Sequence, residues 1–338
     1  KRCLHGRRFR FFSLSAIGWK GTVANMVMFI LGSIVSLFRC LWTLNGLKPD
    51  AVFGLGGYSS LAPVLSAFIL RVPVILLEQN VIPGKANRCL SRFADLVLCH
   101  WPSPSASAYF RDMNGLHFTG TPLRKELLGH ERDRAAKLFG LSPDKTTLLV
   151  LGGSQGAAAI NRAVIGCLPK LMERRHNIQI IHCTGREDYL RVRHAYEAIG
   201  LEARVYDFLE DMGAAYGLAD LAVSRAGAST LAELTACGIP AVLIPYPYST
   251  DDHQYMNARE LSQNGAAVLL EERFLTRRRL LTVFLELLED KERLEGMGHK
   301  SKAMGRPGAS QAVVDITLEL LEKKKSGKIC QDLSPQIT

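Results

Sequence analysis

Short apolar runs alternate with amphipathic stretches along most of this chain. From residue 146 onward the pattern is regular. Apolar runs fall at 146–151, 178–183, 203–206, 221–224, 241–244 and 267–269, and helix-patterned stretches at 188–199, 212–219, 230–236 and 254–264. Another helix opens after residue 157 and continues to residue 174. Apolar strands joined by helices form a mostly parallel sheet covered on both faces. The first third repeats the arrangement, with runs at 51–53, 74–77 and 96–99 and helices starting near residue 58 and across 85–93. A run at 8–12 reads as one more strand. The pattern predicts an α/β protein of two facing Rossmann-like domains with a cleft between them, crossing over near residues 124–142.

Ligands of such sheets sit at the carboxyl ends of the strands. Three small-residue turns fall there: Gly-Leu-Gly-Gly-Tyr-Ser-Ser from residue 54, Gly-Gly-Ser-Gln-Gly-Ala from residue 152 and Ser-Arg-Ala-Gly-Ala-Ser-Thr from residue 224. Such turns leave backbone N–H groups free at a helix start, where a phosphate is favoured. The turn at 152 taken by itself is equally an ordinary tight turn with Ser154 as helix cap. The polar run Thr250-Asp251-Asp252-His253-Gln254 enters another helix beside these cradles and suits a hydroxyl-rich ligand.

Composition adds limits. A length of 338 residues with 47% hydrophobic content suffices for two cores. The formal charge of +10 is spread out or gathered at the termini, with one further run at 277–279. Neither an aromatic RNA-binding motif nor a basic recognition helix accompanies it, so no nucleic-acid partner is expected. Anionic membrane lipid is the better counterpart, and solvated faces account for any single cluster equally well. The eight cysteines show no paired CxxC spacing and read as reduced thiols, neither a disulfide framework nor a zinc site. Residues 21–38 are uncharged and flanked by Lys20 and Arg39. Their length touches the threshold for a membrane span, but Asn25, Gly32, Ser33 and Ser36 favour an interfacial helix or a partly buried domain helix.

Seven segments in order carry a resemblance: GLGGYSS, EQNxxPGxxN, GTPLR, GGSQGA, FxxDMxxAYxxAD, SRAGASTxxE and DDHQxxNA. Together they resemble the MurG family, the bacterial peptidoglycan N-acetylglucosaminyltransferases, over about residues 8–320. The resemblance implies a GT-B fold and inverting transfer of GlcNAc from UDP-GlcNAc to lipid I. No metal and no cofactor is implied, and no DxD motif is present to hold a metal. It also implies peripheral attachment to the cytoplasmic face of the plasma membrane, beside other cell-wall synthesis proteins. On this reading residues 1–124 are the domain facing acceptor and membrane, and 125–305 bind UDP-GlcNAc. Residues 306–322 form a closing helix packed back on the first domain, and 323–338 are a polar tail. Two departures are visible. The family's first glycine loop, with its proposed general base, has no counterpart here, so the chain is expected to be incomplete for catalysis. Leu77 stands where the family commonly has His.

The resemblance also assigns roles. Ser154, with the amides of Gly153, Gln155 and Gly156, would hold the diphosphate. Arg124 would place positive charge against the leaving UDP, where other transferases use a metal; a surface hinge arginine is the plainer reading. Ala228, Ser229, Thr230, Leu231 and Ala232 would lie along the nucleotide, and the Leu209 backbone would meet the uracil. Glu233 would accept from both ribose hydroxyls, although Thr230-x-x-Glu233 is also a capping box. His253 and Gln254 would bind GlcNAc hydroxyls, unless His253 faces solvent in the first helical turn. Asn80 would reach a sugar from the opposite domain, or else brace its own loop. Three rivals remain: another lipid-directed UDP-sugar transferase, a UDP-GlcNAc 2-epimerase, and a nucleotide-sugar binder without catalysis.

Overall fold

A computed structural model describes residues 10–13, 23–111, 115–153 and 156–332. The amino-terminal half runs α1 (Val23–Leu47), β1 (Val52–Gly54), α2 (Leu61–Ile69), β2 (Val74–Glu78), α3 (Lys85–Leu90), β3 (Leu96–Cys99), α4 (Pro104–Tyr109) and β4 (Leu116–Phe118). Its four strands pair in parallel in the order β1-β2-β3-β4. Alternation along the strands sorts the two faces. Val74, Leu76, Val97 and Cys99 pack with α2 residues Val64 and Ala67, while Ile75, Leu77, Leu96 and Leu98 turn to the other side.

The carboxyl-terminal half runs α5 (Arg132–Phe139), β5 (Thr146–Leu151), α6 (Ala158–Leu171), β6 (Ile178–Cys183), α7 (Tyr189–Ile199), β7 (Ala203–Tyr206), α8 (Met212–Leu218) and β8 (Leu221–Ser224). It continues through α9 (Ala228–Cys237), β9 (Ala241–Leu243), α10 (His253–Gln263), β10 (Ala267–Leu269), α11 (Arg277–Glu289), α12 (Lys291–Met304) and α13 (Ala309–Asp332). Six parallel strands lie in the order β10-β9-β8-β5-β6-β7. Chain order reverses between β5 and β8, which opens a crevice beyond their carboxyl ends. Both faces are buried, Leu149, Leu151 and Leu243 on one and Leu148, Val150 and Val242 on the other. The GT-B arrangement of two parallel-sheet α/β domains is therefore present.

Three expectations change. The strand at 8–12 is not seen: residues 10–13 have no regular structure, and residues 8 and 9 lie outside the described residues. The helix expected to end near residue 38 runs on to Leu47, because Arg39 sits exposed on its surface and interrupts nothing. The closing helix does not stop at residue 322 but continues to Asp332. Its Glu-Lys-rich turns favour helix, and Lys324 pairs with Asp95 at 2.6 Å. Val313, Ile316 and Leu320 of α13 cover the amino-terminal sheet face formed by Ile75, Leu77, Leu96 and Leu98. The crossing near residue 120 is tight. Gly120 has φ 89°, and a Cβ there would lie 2.4 Å from Cβ of Arg306 on the returning strand of chain.

Candidate active site

The turn after β5 needs its glycines. A Cβ on Gly152 would lie 2.4 Å from the Ala157 nitrogen, and one on Gly156 2.2 Å from the Thr184 carbonyl. Gly153 and Gly156 both take left-handed φ, 78° and 80°. Ser154 and Gln155 lie outside the described residues. The N-cap position of α6 is Ala157, whose side chain offers no acceptor, and the reading of Ser154 as cap lies outside the described residues.

A buried network braces this turn from behind. Asn161 of α6 donates from Nδ2 to the Thr184 carbonyl (3.0 Å) and to Asp188 (2.8 Å). Its Oδ1 must then accept from His182 Nε2 at 3.0 Å, which leaves His182 Nδ1 to accept from the Tyr196 hydroxyl, also at 3.0 Å. Burial holds the His182 pKa down at about 3, so the ring is neutral in this role.

The second turn follows β8. The cap of α9 is Gly227, and no side chain caps it, so the helix begins earlier than the Thr230-x-x-Glu233 capping box requires. In the first turn Ser229 is exposed and Ala228 and Thr230 are half-buried, Leu231 and Ala232 are buried, and Glu233 is half-buried. The Glu233 carboxylate accepts at 2.6 Å from the Tyr216 hydroxyl. Burial raises the Glu233 pKa, opposed by the Tyr216 hydrogen bond and by the charge of Arg124, which links Arg124 to this carboxylate. Leu209 packs against the core behind the turn, next to an exposed Phe208.

Across the crevice the two halves touch through the segment before α10. Asp251 and Asp252 take consecutive left-handed conformations, φ 49° and 51°, which cost about 1–2 kcal/mol per residue. The Asp251 carboxylate is held from the opposite half by Lys85 at 3.0 Å and Arg88 at 3.1 Å. The Lys85 hydrogen bond pulls the pKa of Asp251 below the ordinary value. His253 does not face solvent: its side chain is 14% exposed, Nε2 lies 3.9 Å from Asp251 and is a buried nitrogen without a hydrogen-bond partner. Gln254 Oε1 accepts from the Tyr246 amide at 3.0 Å. Asn80 braces its loop, donating to Glu78 at 3.2 Å, and also accepts across the interface from Asn257 at 3.1 Å.

Glu78, Asn87 and Asn257 were given no role from sequence. Glu78 is a buried carboxylate ending an apolar strand, a pattern that signals a hub. It accepts from the amides of Asn80 and Gly84 and from the side chains of Asn80 and Asn87. Asn257 Oδ1 accepts from the Val81 amide at 2.9 Å, which ties α10 to the amino-terminal half.

Residues 5–99 match the glycosyltransferase family 28 N-terminal domain, and residues 147–313 match the family 28 C-terminal domain. The UDP-N-acetylglucosamine–N-acetylmuramyl-(pentapeptide) pyrophosphoryl-undecaprenol N-acetylglucosamine transferase of Thermodesulfovibrio yellowstonii is 40% identical over 318 residues, covering 93% of this chain and 86% of the relative. The chain belongs to the MurG family. Among solved structures, MurG of Acinetobacter baumannii superposes with a TM-score of 0.71 at 28% identity, covering 94% of this chain and 87% of that one. A UDP-N-acetylglucosamine 2-epimerase of Listeria monocytogenes matches with a TM-score of 0.68 over 91% of this chain and 82% of its own, but at 15% identity it shares the fold alone. Membership makes this protein a glycosyltransferase of peptidoglycan synthesis, an N-acetylglucosaminyltransferase.

Proposed function

We propose that this chain moves GlcNAc from UDP-GlcNAc to undecaprenyl-pyrophosphoryl-MurNAc-pentapeptide, turning lipid I into lipid II. One observation carries the reading. The glycine turn around Gly152 and Gly156, helix α9 with Glu233, and the 250–257 segment follow the carboxyl ends of β5, β8 and β9, which lie near one another in the sheet, and Asn257 of the last segment donates to Asn80 of the other half.

In this reading the first amides of α6, with Gly153, Ser154, Gln155 and Gly156, hold the diphosphate. Glu233 receives the ribose hydroxyls, and residues 228–232 line the nucleotide up to the uracil at Leu209. His253 and Gln254 meet the GlcNAc hydroxyls, with Asn80 opposite. The acceptor 4-hydroxyl attacks the anomeric carbon as the bond to UDP breaks, inverting the centre and giving its proton to a general base that is not among these residues. Negative charge then grows on the leaving diphosphate, where Arg124 stabilises it. The Asp251 and Asn257 contacts close the halves over the sugar and keep water out.

Attachment to membrane belongs to the same proposal. On α1, Ser36 and Cys40 are buried and the Leu37 carbonyl accepts from Ser66 of α2, so one face is fixed to the domain. Met28, Ile30, Leu31, Ile34, Val35, Phe38 and Trp42 are exposed on it. The window Ile30–Leu47 is long and apolar enough to cross a bilayer by length and composition, but its seat on α2 favours lying in the surface of an anionic leaflet.

The test is transfer of labelled GlcNAc by the full-length protein. Lipid I should be glycosylated and diacylglycerol should not. Release of a 2-epimerised UDP-sugar without any lipid acceptor would refute the proposal.

A further inference from the structure

The Glu233 carboxylate sits in an unusual setting for a ligand-binding group. It is the sixth residue of α9, half-buried beside Leu231, Ala232 and Leu234, which are buried. Without the capping role, a side chain of this length has several rotamers available. One contact restricts it. Tyr216 is 3% exposed, and its hydroxyl donates to Oε2 of Glu233 at 2.6 Å, a short charge-assisted bond.

The tyrosine is itself held by its helix. The Asp211 carboxylate caps α8 by accepting from the Ala214 amide at 3.0 Å. Gly213 and Gly217, one turn apart, lie flat against the segment that follows Arg124. A Cβ on Gly213 would come within 2.1 Å of the Glu126 carbonyl, and one on Gly217 within 2.7 Å of His130 Cβ. There is no room for a Cβ at either place, so α8 packs backbone-close against the linker. The Tyr216 ring packs in the core cluster that also contains Leu127 and Leu231. A rigid chain of contacts thus leads from the linker through α8 to one oxygen of Glu233.

We propose that Tyr216 is a positioning residue for the nucleotide ribose: it pins Oε2 of Glu233, presents the remaining acceptor capacity of the carboxylate to the ribose hydroxyls, and so sets the preference for a ribonucleotide donor. The inference rests on the reading of Glu233 as the ribose ligand. Tyr216 touches neither sugar nor phosphate. It works by removing the rotamer freedom that Glu233 would otherwise lose on binding.

Calorimetric titration of the full-length protein with UDP, 2′-deoxy-UDP and inorganic pyrophosphate tests this. Wild type should prefer UDP over its deoxy analogue. Y216F, which keeps the ring and deletes one oxygen, should weaken UDP by roughly five- to tenfold and the deoxy analogue far less. Its affinity for pyrophosphate should stay at the wild-type value, which reports an intact glycine turn. Glu233→Ala should abolish the preference. If Y216F keeps the wild-type preference while Glu233→Ala loses it, Tyr216 does not position the ribose ligand, although Glu233 still binds it. If Glu233→Ala also keeps the preference, the ribose reading of Glu233 fails and the inference with it. An equal loss for all three ligands in Y216F would mean damaged packing and would overturn the proposal as well.

Discussion

The two halves of the molecule share an architecture and differ in what they do with their polar groups. In the carboxyl-terminal half, polar side chains are sunk into the core and bonded to one another. Gln179 is fully buried, accepts from the Ser142 amide, and donates to the Ser142 carbonyl and to Thr147. Asn161 and His182 are equally buried and equally satisfied. The amino-terminal half has its own buried hub at Glu78 and Asn87, but it adds what the other half lacks among the described residues, a helix placing Phe38 and Trp42 outward at 65% and 82% exposure. Satisfied buried networks fix atoms to within tenths of an ångström, as a small charged ligand requires. An exposed apolar face specifies little beyond depth, which is enough for a lipid surface. On the proposed function, the contrast separates a precise donor half from an acceptor half with an apolar outer face.

Experiments can break that separation. The largest effect is expected from replacing Ile34, Phe38 and Trp42 together with Ser. Each large apolar side chain contributes about 1.5–3 kcal/mol when fully buried, so partition into anionic vesicles should fall by more than about a hundredfold, with UDP affinity unchanged. Protein that stays membrane-bound after carbonate extraction would instead mean that α1 spans the bilayer.

Next in size, Arg124→Ala should lower kcat by roughly tenfold to a hundredfold with little change in the donor KM, because leaving-group charge grows only in the transition state. A raised KM at normal turnover would place Arg124 in ground-state binding.

A third effect is on stability. Burial lowers the His182 pKa to about 3 and that of His100 to about 4, both below the ordinary 6.5. A depressed histidine stabilises the folded state fully above the unfolded pKa, and that contribution is lost as pH falls from about 6.5 toward these values. Urea melts between pH 7.5 and 4.5 should lose on the order of 2 kcal/mol for each of the two histidines. His182→Gln should be less stable at pH 7.5 and show a shallower decline. An unchanged slope would mean that His182 does not supply it.

The smallest effect is expected at the contact between halves. Asp251→Asn removes an ion pair worth about 1 kcal/mol or less, so the donor KM should rise a few-fold and become less sensitive to salt than in wild type. Identical salt dependence in both proteins would show that the Lys85 and Arg88 contacts do not assist closure.

Much of this was legible in the chain. The strands at Thr146–Leu151, Ile178–Cys183 and Leu221–Ser224 coincide with their apolar runs, because a strand covered on both faces has no solvent-facing position to blur its ends, and its few polar residues are buried and hydrogen-bonded. The glycine turns were visible for a similar reason, since close approach at Gly152 and Gly156 leaves a compositional mark. Errors came from charges read as boundaries. Arg39 and the lysines from residue 323 continue their helices, because exposed Lys and Arg are good helix formers. The Tyr216–Glu233 bond could not be read, since it joins residues seventeen apart whose meeting depends on how α8 and α9 pack. The capping-box signal at the same glutamate pointed to a local partner where the actual one is tertiary.

The position of α13 also has a consequence for biosynthesis. The face made by Ile75, Leu77, Leu96 and Leu98 is covered by Val313, Ile316 and Leu320, from a helix translated long after it. At about 5–20 residues per second, roughly ten to forty seconds separate Leu98 from Val313. Throughout that interval a nascent sheet displays an uncovered apolar surface, while the six-stranded half can close on residues much nearer in sequence. Of these two halves the one translated earlier is therefore completed later, and the growing polypeptide needs shelter for that face, from a chaperone or from the bilayer, until α13 arrives.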